Sequence, residues 1–343
     1  MDFWSRYMNP QTKLRCQSSK RRWLIDASST GSFLPSHHFF LATAILSPLL
    51  LSWGFAAHRK IVDVAIHHVP EPLHSFLKAN REWLVEHALD ADLRKHSVIG
   101  EAEKHYIDLD EFGEPDTDSI RLPPSHWKDA IAKFGEAELR DRGIGPWNIR
   151  WQFENLIGAF EAQDKNRILR STADLAHYLS DLHVPLHTTK NYDGALTGQF
   201  GIHALWETHV PESHMDEFDL VNLPIIQHWN RQCADSIWRV IQESHECLAL
   251  VFSAEEETMN ELGEANAFAF CVRGRTRQKM HSAQFVDLYH SKLQGQVEQR
   301  MTRSIAACSI YWYSAWVMAG QPPLPVEQTE TSRLRAMIEW IIK

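Results

Sequence analysis

Two histidine–carboxylate pairs at helical spacing within residues 171–207 constrain the fold more than any other feature of the sequence. His177 and Asp181 are four residues apart, and so are His203 and Glu207. On a helix, this spacing puts both side chains on one face, about 6 Å apart along the axis. Imidazole and carboxylate groups are common zinc ligands, so each pair can reach one ion. The segment therefore predicts helices that hold metal.

A proline and a further histidine connect the two pairs. Pro185 ends the first helix after Asp181, because an interior proline breaks the backbone hydrogen-bond ladder. The chain can turn there and bring His187 back toward the same place. A single pair would favour a buried helix whose His and Asp bind each other. Two pairs with His187 between them, joined by a turn and a Gly-rich loop, favour a cluster of metals instead.

The helix that carries the first pair also has an apolar face. From Lys165 to Leu182, four aliphatic side chains follow one stripe, and His177 and Asp181 lie on nearly the opposite side. One face is therefore expected to pack on a core while the other points at something polar. The four aliphatic residues are Ile168, Leu175, Leu179 and Leu182.

Helical periodicity covers most of the remaining chain, and we find no strand alternation longer than about five residues. There is no repeat, P-loop or dinucleotide motif. The sequence predicts a single all-α domain over 53–325, followed by a tail over 326–343 that we expect to be helical. The predicted helices cover 71–89, two segments of 126–162 divided at Gly143–Pro146, 225–262, and 285–319, which Gly320 and Pro322 end.

Residues 1–52 are interpreted as a basic leader plus a signal peptide that is removed. Residues 1–36 are polar and basic, and an apolar run follows from Phe39 to Leu51, which is typical of a secretory signal. We therefore expect a secreted or periplasmic protein. The alternative is a retained membrane anchor, since the apolar stretch continues to Ala57 and is about long enough to span a bilayer. Pro48 and the lack of a second flank favour cleavage.

The charge of the chain argues against general nucleic-acid binding. The leader contains six of the 35 Lys and Arg and two of the 44 Asp and Glu, so its removal changes the formal charge from −9 to −13. An acidic protein gains little from counterion release, and any such binding must be local to the site. The four cysteines after the leader show no CxxC spacing, so we do not expect cysteine ligands. Their even number permits disulfides without establishing them.

The motif HYLSDLHVPLH, followed by HALWE, resembles the superfamily of zinc-dependent bacterial phospholipases C and single-strand-specific three-zinc nucleases. Its signature is H-x-x-x-D-x-x-x-x-x-H followed by H-x-x-x-D/E, which this sequence matches at His177, Asp181, His187, His203 and Glu207. The resemblance covers about 270 residues. It implies an all-helical, exported phosphodiesterase with a metal cluster between helices.

The same resemblance extends to the start of the predicted domain. Members of the superfamily begin with a Trp whose amino group and carbonyl bind zinc, and Trp53 and His58 fit that pattern. An Asp and a later His complete the set, and His105 resembles the latter. For the Asp, spacing leaves Asp90 and Asp92 open; we prefer Asp92 because the family often has a basic residue three positions on, as Lys95 is here.

Carried over residue by residue, the resemblance implies three zinc ions. The first is held by Asp92, His105, His177 and Asp181, the second by His187, His203 and Glu207, and the third by Trp53, His58 and Asp181. Asp92, Asp181 and Glu207 would be the catalytic carboxylates, which share water activation with zinc. The implied reaction is hydrolysis of a P–O ester bond by a metal-activated hydroxide, without a protein nucleophile.

The Trp53 terminus fits the rules for signal cleavage poorly. Signal peptidase favours small residues at −3 and −1, and cleavage before Trp53 places Leu50 and Ser52 there. Cleavage after Ala56 would fit better but would delete Trp53. We retain Trp53 because the resemblance implies it.

Residues near the motif supply candidates for supporting roles. Asp174, Asp108 and Asp110 are expected to hold the second nitrogen of ligand histidines. His183 is expected to be structural. Tyr106, Tyr192 and Phe200 are the candidate substrate-binding residues.

The substrate remains open between a phospholipid headgroup and single-stranded nucleic acid. The last ligand of the signature is Asp or Glu, and Glu207 makes this chain more similar to the phospholipases than to the nucleases. We therefore place phospholipase C slightly ahead of a nuclease of the 3′-nucleotidase type. A transient contact with a membrane surface would accompany the first. We expect a monomer with no protein partner.

Two other classes of protein fit the sequence less well. A di-iron bundle would need Glu-x-x-His pairs, and a non-catalytic zinc-binding helical protein would not need the full set of nine ligands.

Overall fold

The computed structural model describes residues 54–113, 121–223, 225, 232–273 and 276–325. The predicted leader, Trp53 and the tail over 326–343 lie outside these residues. Most of the described chain is helical, as predicted. The α-helices are α1 (Phe55–Ala65), α2 (Leu73–Ala79), α3 (Arg81–Glu86), α4 (Asp90–Arg94), α5 (Trp127–Phe134), α6 (Glu136–Asp141), α7 (Gly145–Glu161), α8 (Lys165–Asp181), α9 (Ile202–Ala204), α10 (Val210–His214), α11 (Cys233–Glu246), α12 (Leu248–Leu262), α13 (Glu264–Ala267), α14 (Ala283–Lys292) and α15 (Gln296–Met318).

Shorter helical turns connect several of these elements. A π-helix over Leu205–His209 joins α9 to α10 without a break. The 3-10 turns are Ile66–His68, His87–Leu89, Ala102–Lys104, Leu109–Phe112, Pro185–Thr188 and Met215–Glu217. Two of these turns carry or precede residues of the predicted ligand set, so the site lies where regular helices end.

Helix α8 begins and ends where its sequence predicts. The side chain of Asp164 accepts a hydrogen bond from the backbone N–H of Arg167, which caps the N-terminus. The helix ends at Asp181, and the 3-10 turn that Pro185 begins redirects the chain. Its predicted apolar stripe is fully buried. The opposite face is buried too, because it packs against the other predicted ligands rather than facing solvent.

Helix α15 packs against α1, α7 and α8 and forms the centre of the core. Polar side chains on it bond to neighbouring backbones: Trp312 donates to Thr172 O at 3.1 Å and Ser309 to Ala65 O at 2.9 Å. Buried Arg300 donates to His183 O at 2.8 Å, which fixes the turn directly after α8. The core therefore holds the ligand-bearing helix from behind.

The structure divides several helices that periodicity joins. The 71–89 segment contains α2, α3 and a 3-10 turn, 225–262 contains α11 and α12 separated at Cys247, and 285–319 is split between α14 and α15 at Gly295. Gly295 has φ +79°, which ends one helix and starts the next. The apolar spacing continues across these breaks because the helices on both sides of each break face the same core.

A two-stranded antiparallel hairpin is the main departure from the all-α prediction. Strand β1 (Phe268–Arg273) pairs with β2 (Thr276–His281), with Phe268 opposite His281 and Phe270 opposite Lys279. Each strand has six residues, barely longer than the alternation that the sequence analysis found. Arg277 and Lys279 occupy alternate positions of β2, so this strand lacks the alternating apolar residues that predict a strand.

Two further findings concern the cysteines and the predicted membrane anchor. Cys233, Cys247 and Cys308 are free thiols in the structure. Across the described ranges, no helix combines the length and the apolar character that a membrane span requires. The domain bounds of 53–325 and the removal of residues 1–52 stay predictions.

Candidate metal centre

Five of the predicted ligands form one buried cluster around Asp181. Its Oδ2 lies 2.7 Å from His105 Nδ1 and 3.3 Å from His177 Nε2, and its Oδ1 lies 3.4 Å from His58 Nε2. Asp92 Oδ1 is 3.5 Å from His177 Nε2. All five side chains are at most 8% exposed. Two overlapping triads, one of His58, Asp92 and His177 and one of His105, His177 and Asp181, have ligand atoms within 4.8 Å of one another. We call these five residues the inner cluster.

Three more ligands form a second group, which we call the outer triad. His203 Nε2 lies 3.1 Å and His187 Nε2 3.4 Å from the two oxygens of Glu207. Glu207 is fully buried, and neither of its oxygens makes a well-aligned hydrogen bond within the described part of the chain. Close approach without hydrogen-bond alignment is what groups aimed at a common ion show.

The eight described ligands come from distant parts of the sequence and from different elements. Helix α1 carries His58, α4 carries Asp92, and α8 carries His177 and Asp181. His187 lies on the 3-10 turn after α8, His203 on α9, and Glu207 on the π-helix. His105 comes directly after the 3-10 turn Ala102–Lys104. The elements therefore bring the candidate ligands into the inner cluster and the outer triad.

Two loop contacts hold the segment that carries His105. The turn before α7 lies against it: Ile144 N donates to Glu103 O at 2.7 Å and Gly145 N to Tyr106 O at 3.0 Å. On its other side, Ile107 N donates to His187 O at 3.0 Å. The backbone of one ligand segment is thus bonded directly to the backbone of another.

The ligand histidines are oriented through their second ring nitrogen. His177 Nδ1 lies 2.8 Å from Ala88 O, His187 Nδ1 2.7 Å from His105 O, and His203 Nδ1 3.1 Å from Tyr192 O. His58 Nδ1 lies 2.9 Å from Ser180 Oγ. In each case Nε2 is left to face the carboxylates, which is the arrangement that second-nitrogen bonding produces in metal sites.

The aspartates expected to hold these nitrogens have other partners. Asp174 binds Arg94 at 3.0 Å, and Asp110 accepts from Thr189 and the Lys190 backbone. Burial, with Asp110 and Glu111 nearby, raises the pKa of Asp108 to about 7. The prediction for Asp174 and Asp110 is therefore wrong in detail: backbone carbonyls and one hydroxyl perform that task.

Charges in the inner cluster separate its histidines into two kinds. Burial alone would lower the pKa of His177, but Asp181 and Asp92 outweigh it and raise that pKa to about 10. Burial and the neighbouring Lys95 lower the pKa of His105 to about 3. Despite burial, His177 holds the pKa of Asp92 and of Asp181 below their usual range. The two carboxylates are thus anionic, and His177 and Lys95 are the positive groups beside them.

Of the two aspartates left open by the sequence, Asp90 and Asp92, only Asp92 lies in the inner cluster. Asp92 is buried in the inner cluster, while Asp90 is half-buried and belongs to neither triad. Lys95 Nζ lies 2.9 Å from Asp92 Oδ1, at the three-residue spacing that motivated the choice. The lysine therefore lies beside the same oxygen that faces His177.

A cavity of about 400 Å³ borders both groups of ligands. His105 from the inner cluster and His187 and His203 from the outer triad line it. Tyr106 and Tyr192 line the same cavity, as their predicted role in substrate binding requires. Phe200 does not: it lines a second cavity of about 940 Å³ next to the hairpin.

Two further predictions concern the edges of the site. His183 is buried with its Nδ1 2.7 Å from Leu179 O, as a structural histidine should be. Trp53 lies outside the described residues. Its neighbour Gly54 donates its N–H to Glu207 O at 3.0 Å.

The donor set fits metal ions. Buried imidazole and carboxylate groups whose ligand atoms lie within 4.8 Å of one another leave negative charge that only a cation or protons can neutralise. Cysteine contributes to none of the three groups. Nitrogen and oxygen donors without sulfur are compatible with zinc and with other divalent transition metals, so the identity of the metal is not fixed by the donors.

Comparisons with known proteins do not identify the chain. No protein-family model matches it, and no curated protein matches it either. Assignment to a superfamily therefore depends on the motif and on the geometry described above.

Sequence reasoning missed the residues that support the ligands. Ser180 is one example, since a serine one position before Asp181 carries no metal-binding signal. Arg94 is another: it joins Asp174, Tyr178 and Glu101 on the side of α8 next to His177. These contacts depend on tertiary packing, and no local spacing would have indicated them.

Proposed function

We propose that this protein is a zinc-dependent phosphoric ester hydrolase of the phospholipase C and three-zinc nuclease superfamily. The observation that carries the proposal is the convergence of eight motif ligands into adjoining buried groups beside one cavity. Zinc bound here would supply positive charge that stabilises a phosphoryl transition state and promotes deprotonation of the attacking water. The proposed third ion also requires Trp53.

The residues of the chain have distinct parts in this proposal. Asp92, Asp181 and Glu207 hold the ions, and the backbone carbonyls behind His177, His187 and His203 fix the direction of each imidazole. Lys95 fixes Asp92 and remains on the cavity wall, where it can attract a phosphate oxygen. Burial of the inner cluster excludes bulk water, which strengthens each of these electrostatic interactions.

A phospholipase C-like activity is our first choice of substrate class. The cavity volume suits one phosphate ester headgroup, and the acidic chain disfavours nucleic acid. A single-strand-specific nuclease is the second candidate, favoured by one observation. Tyr106 and Tyr192 both line the cavity, and Tyr192 is 44% exposed, so an unpaired base could stack there.

Hydrolysis assays on the purified protein test the activity and the substrate class together. Phosphatidylcholine vesicles, single-stranded DNA and RNA are each incubated with protein, with and without chelator. Chelator-sensitive release of diacylglycerol supports the first candidate, and release of mononucleotides supports the second. Zinc-loaded, folded protein that hydrolyses none of these, and no soluble aryl phosphodiester, would refute the enzyme proposal.

A matched pair of variants on α8 separates metal holding from folding. Asp181→Asn should lose bound metal and reduce kcat by about 100-fold or more, because a ligand shared by inner-cluster histidines loses its charge. Asp174→Asn is the control, since Asp174 is on the same helix but pairs with Arg94. Equal metal content and equal activity in both variants would contradict the assignment of Asp181.

Export remains part of the proposal and has its own test. N-terminal sequencing of the protein recovered from the medium or periplasm should find Trp53 as the first residue. Ala57 as the first residue would remove Trp53 from the ligand set, together with Gly54, whose N–H donates to Glu207 O of the outer triad.

A further inference from the structure

Most of the exposed apolar side chains belong to three short segments that border the metal-site cavity or the second cavity. In the described part of the chain, eleven large apolar side chains are exposed, and seven of them belong to three short segments. A random scatter of surface hydrophobics would need no explanation, whereas a concentration marks an interaction surface. The seven are Leu93, Val98, Ile99, Tyr192, Leu196, Phe200 and Phe270.

The first segment begins in α4 and borders the cavity directly. Lys95 and His96 line the cavity, and Leu93, Val98 and Ile99 on either side of them are turned to solvent. Ile99 is completely exposed and Leu93 is 65% exposed. No residue of the described chain covers them, although each costs free energy in water.

The second segment also borders the metal-site cavity. It begins with Tyr192, which lines the cavity, and continues through Leu196 and Phe200, which are 72% and 66% exposed. The backbone of this loop is well held despite its exposed side chains. Asn191 Oδ1 accepts from Leu196 N at 2.7 Å, and Gln199 donates to Phe252 O at 2.8 Å. A rigid loop that presents one aliphatic and two aromatic side chains is suited to docking.

The hairpin extends this apolar surface and adds positive charge. Phe200 and the hairpin residues Phe268, Lys279 and Met280 line the second cavity together. Lys279 Nζ lies 3.7 Å above the Phe268 ring, and the Arg277 guanidinium 4.3 Å above the Phe270 ring. Residues 268–281 contain three Arg and one Lys but no acidic residue, although the whole chain has a formal charge of −9.

We propose that these three segments form a docking surface for the interface of a phospholipid membrane containing anionic lipids. We call this surface the rim: Leu93, Val98, Ile99, Leu196, Phe200, Phe270, Arg277 and Lys279. The inference rests on the proposed hydrolase function in one respect, because it places the metal-site cavity against the membrane and so names the lipid as substrate. Aliphatic groups would enter the headgroup region while Arg277 and Lys279 contact lipid phosphates.

The composition of the rim favours a lipid surface over nucleic acid. Single-stranded nucleic acid binds through aromatic stacking and an extended groove of cations. Four of the six apolar rim residues are aliphatic and cannot stack on bases. The cations of the rim are confined to the hairpin, whereas Lys190 beside the first cavity is already paired with Glu111 at 3.0 Å.

Vesicle sedimentation of the full chain in the presence of chelator measures docking without hydrolysis. The vesicles contain phosphatidylcholine and phosphatidylglycerol. Ile99→Ser combined with Leu196→Ser should weaken binding about tenfold or more, since two exposed aliphatic groups lose their burial in lipid. Val221→Ser combined with Ile225→Ser is the matched control, because both residues are exposed aliphatic side chains that lie outside the three rim segments. Circular dichroism confirms that both variants are folded.

A second measurement separates this inference from the proposed function. With zinc, the Ile99→Ser/Leu196→Ser variant should hydrolyse a soluble substrate, bis(p-nitrophenyl) phosphate, at the rate of the unmodified chain, while its rate on vesicles falls about tenfold, in proportion to the lost binding. Arg277→Gln with Lys279→Gln should weaken binding only to vesicles that contain phosphatidylglycerol.

Three results would overturn the docking proposal. One is vesicle binding that is absent, or equal in the rim and control variants, whatever the activity on the soluble substrate. Another is an equal fall on soluble and vesicle substrates, which would mean that the rim changes only support the cavity. The third is binding of single-stranded DNA that depends on Arg277 and Lys279 while vesicles are ignored. If the unmodified chain does not hydrolyse the soluble substrate but still binds vesicles through the rim, the hydrolase proposal is refuted and the docking proposal is not.

Discussion

At the scale of single residues, the site depends on atoms that residue type does not encode. Sequence spacing indicates two His–carboxylate pairs and His187, and the family resemblance supplies the other candidates. The structure places the eight described candidates in three groups that could hold a metal ion. The groups that orient them are mostly backbone carbonyls, which every residue has. This is why Asp174 and Asp110 were expected in that role and are found elsewhere. Only tertiary packing decides which carbonyl reaches which imidazole.

Ser180 offers a test of this orienting shell. Its hydroxyl lies 2.9 Å from His58 Nδ1, so Ser180→Ala should weaken metal binding about tenfold by loosening the imidazole. Competition with a chromophoric chelator measures the affinity. Ser309→Ala is the control, since Ser309 is equally buried on α15 but bonds only to backbone. If both variants bind metal as the unmodified chain does, His58 needs no support from Ser180.

At the scale of elements, the helices and the β-hairpin differ in how well the sequence predicts them. Helix α8 has a cap, an apolar stripe and a stop, and its bounds match the prediction closely. The hairpin has short strands whose apolar residues alternate with cations, and it was not predicted. The breaks at Cys247 and Gly295 were missed because periodicity reports which side faces the core and not whether the helix is continuous.

The turn between α6 and α7 should be intolerant of a side chain at Gly143. This residue has φ +86°, and an added Cβ would overlap the carbonyl oxygen of Tyr106. Gly143→Ala should therefore lower the free energy of unfolding by about 3 kcal/mol and loosen the segment that carries His105. Urea denaturation measures this change in the free energy of unfolding. Gly295→Ala is the control: this residue is left-handed, with φ +79° and ψ +11°, but has open space around it, and the substitution should cost about 1 kcal/mol.

An equal loss of stability in both glycine variants would show that backbone conformation alone matters at Gly143. A loss confined to Gly143→Ala supports the close approach to Tyr106 as the cause.

The end of the hairpin should make the fold sensitive to acid. Burial, with His209 and Lys279 nearby, lowers the pKa of His281 to about 4. The unfolded chain, with a pKa near 6.5, binds this proton more readily, so stability is full above pH 6.5 and falls as the pH drops toward 4. The loss is about 3 kcal/mol at most. Urea denaturation of His281→Gln across this range should show a shallower pH dependence than the unmodified chain.

Two parallel stability profiles would mean that His281 is protonated in the folded protein without cost. The comparison uses the difference between the two proteins, because other groups titrate in both.

At the scale of the whole molecule, metal binding and folding should be coupled. The ligands extend from residue 58 to residue 207, and their carboxylates are buried around α8. Ions bound at the site would connect α1, α4, α8 and the π-helix. Stripping with chelator should lower Tm by about 5–10 °C, because buried carboxylates lose their counter-charge and bound ligand no longer favours the folded state.

Differential scanning calorimetry measures this change, with metal analysis of the same sample. Addition of zinc should restore Tm, whereas magnesium should not, since magnesium prefers oxygen ligands and retains its water. An unchanged Tm in protein shown to be free of metal would mean that the clusters are stable through protonation alone.

The π-helix over Leu205–His209 has a consequence for how such a site can arise or be lost. A helix forms a π-turn when it holds one residue more than its α-helical neighbours accommodate. Deleting one residue from this turn would restore an α-helix and rotate the downstream residues by about 100° relative to the upstream ones. His203 precedes this turn and α10 follows it, so the deletion would change the angle at which the outer triad faces α10. Over evolutionary time, a single-codon insertion or deletion here could therefore displace the outer triad without replacing any of its residues.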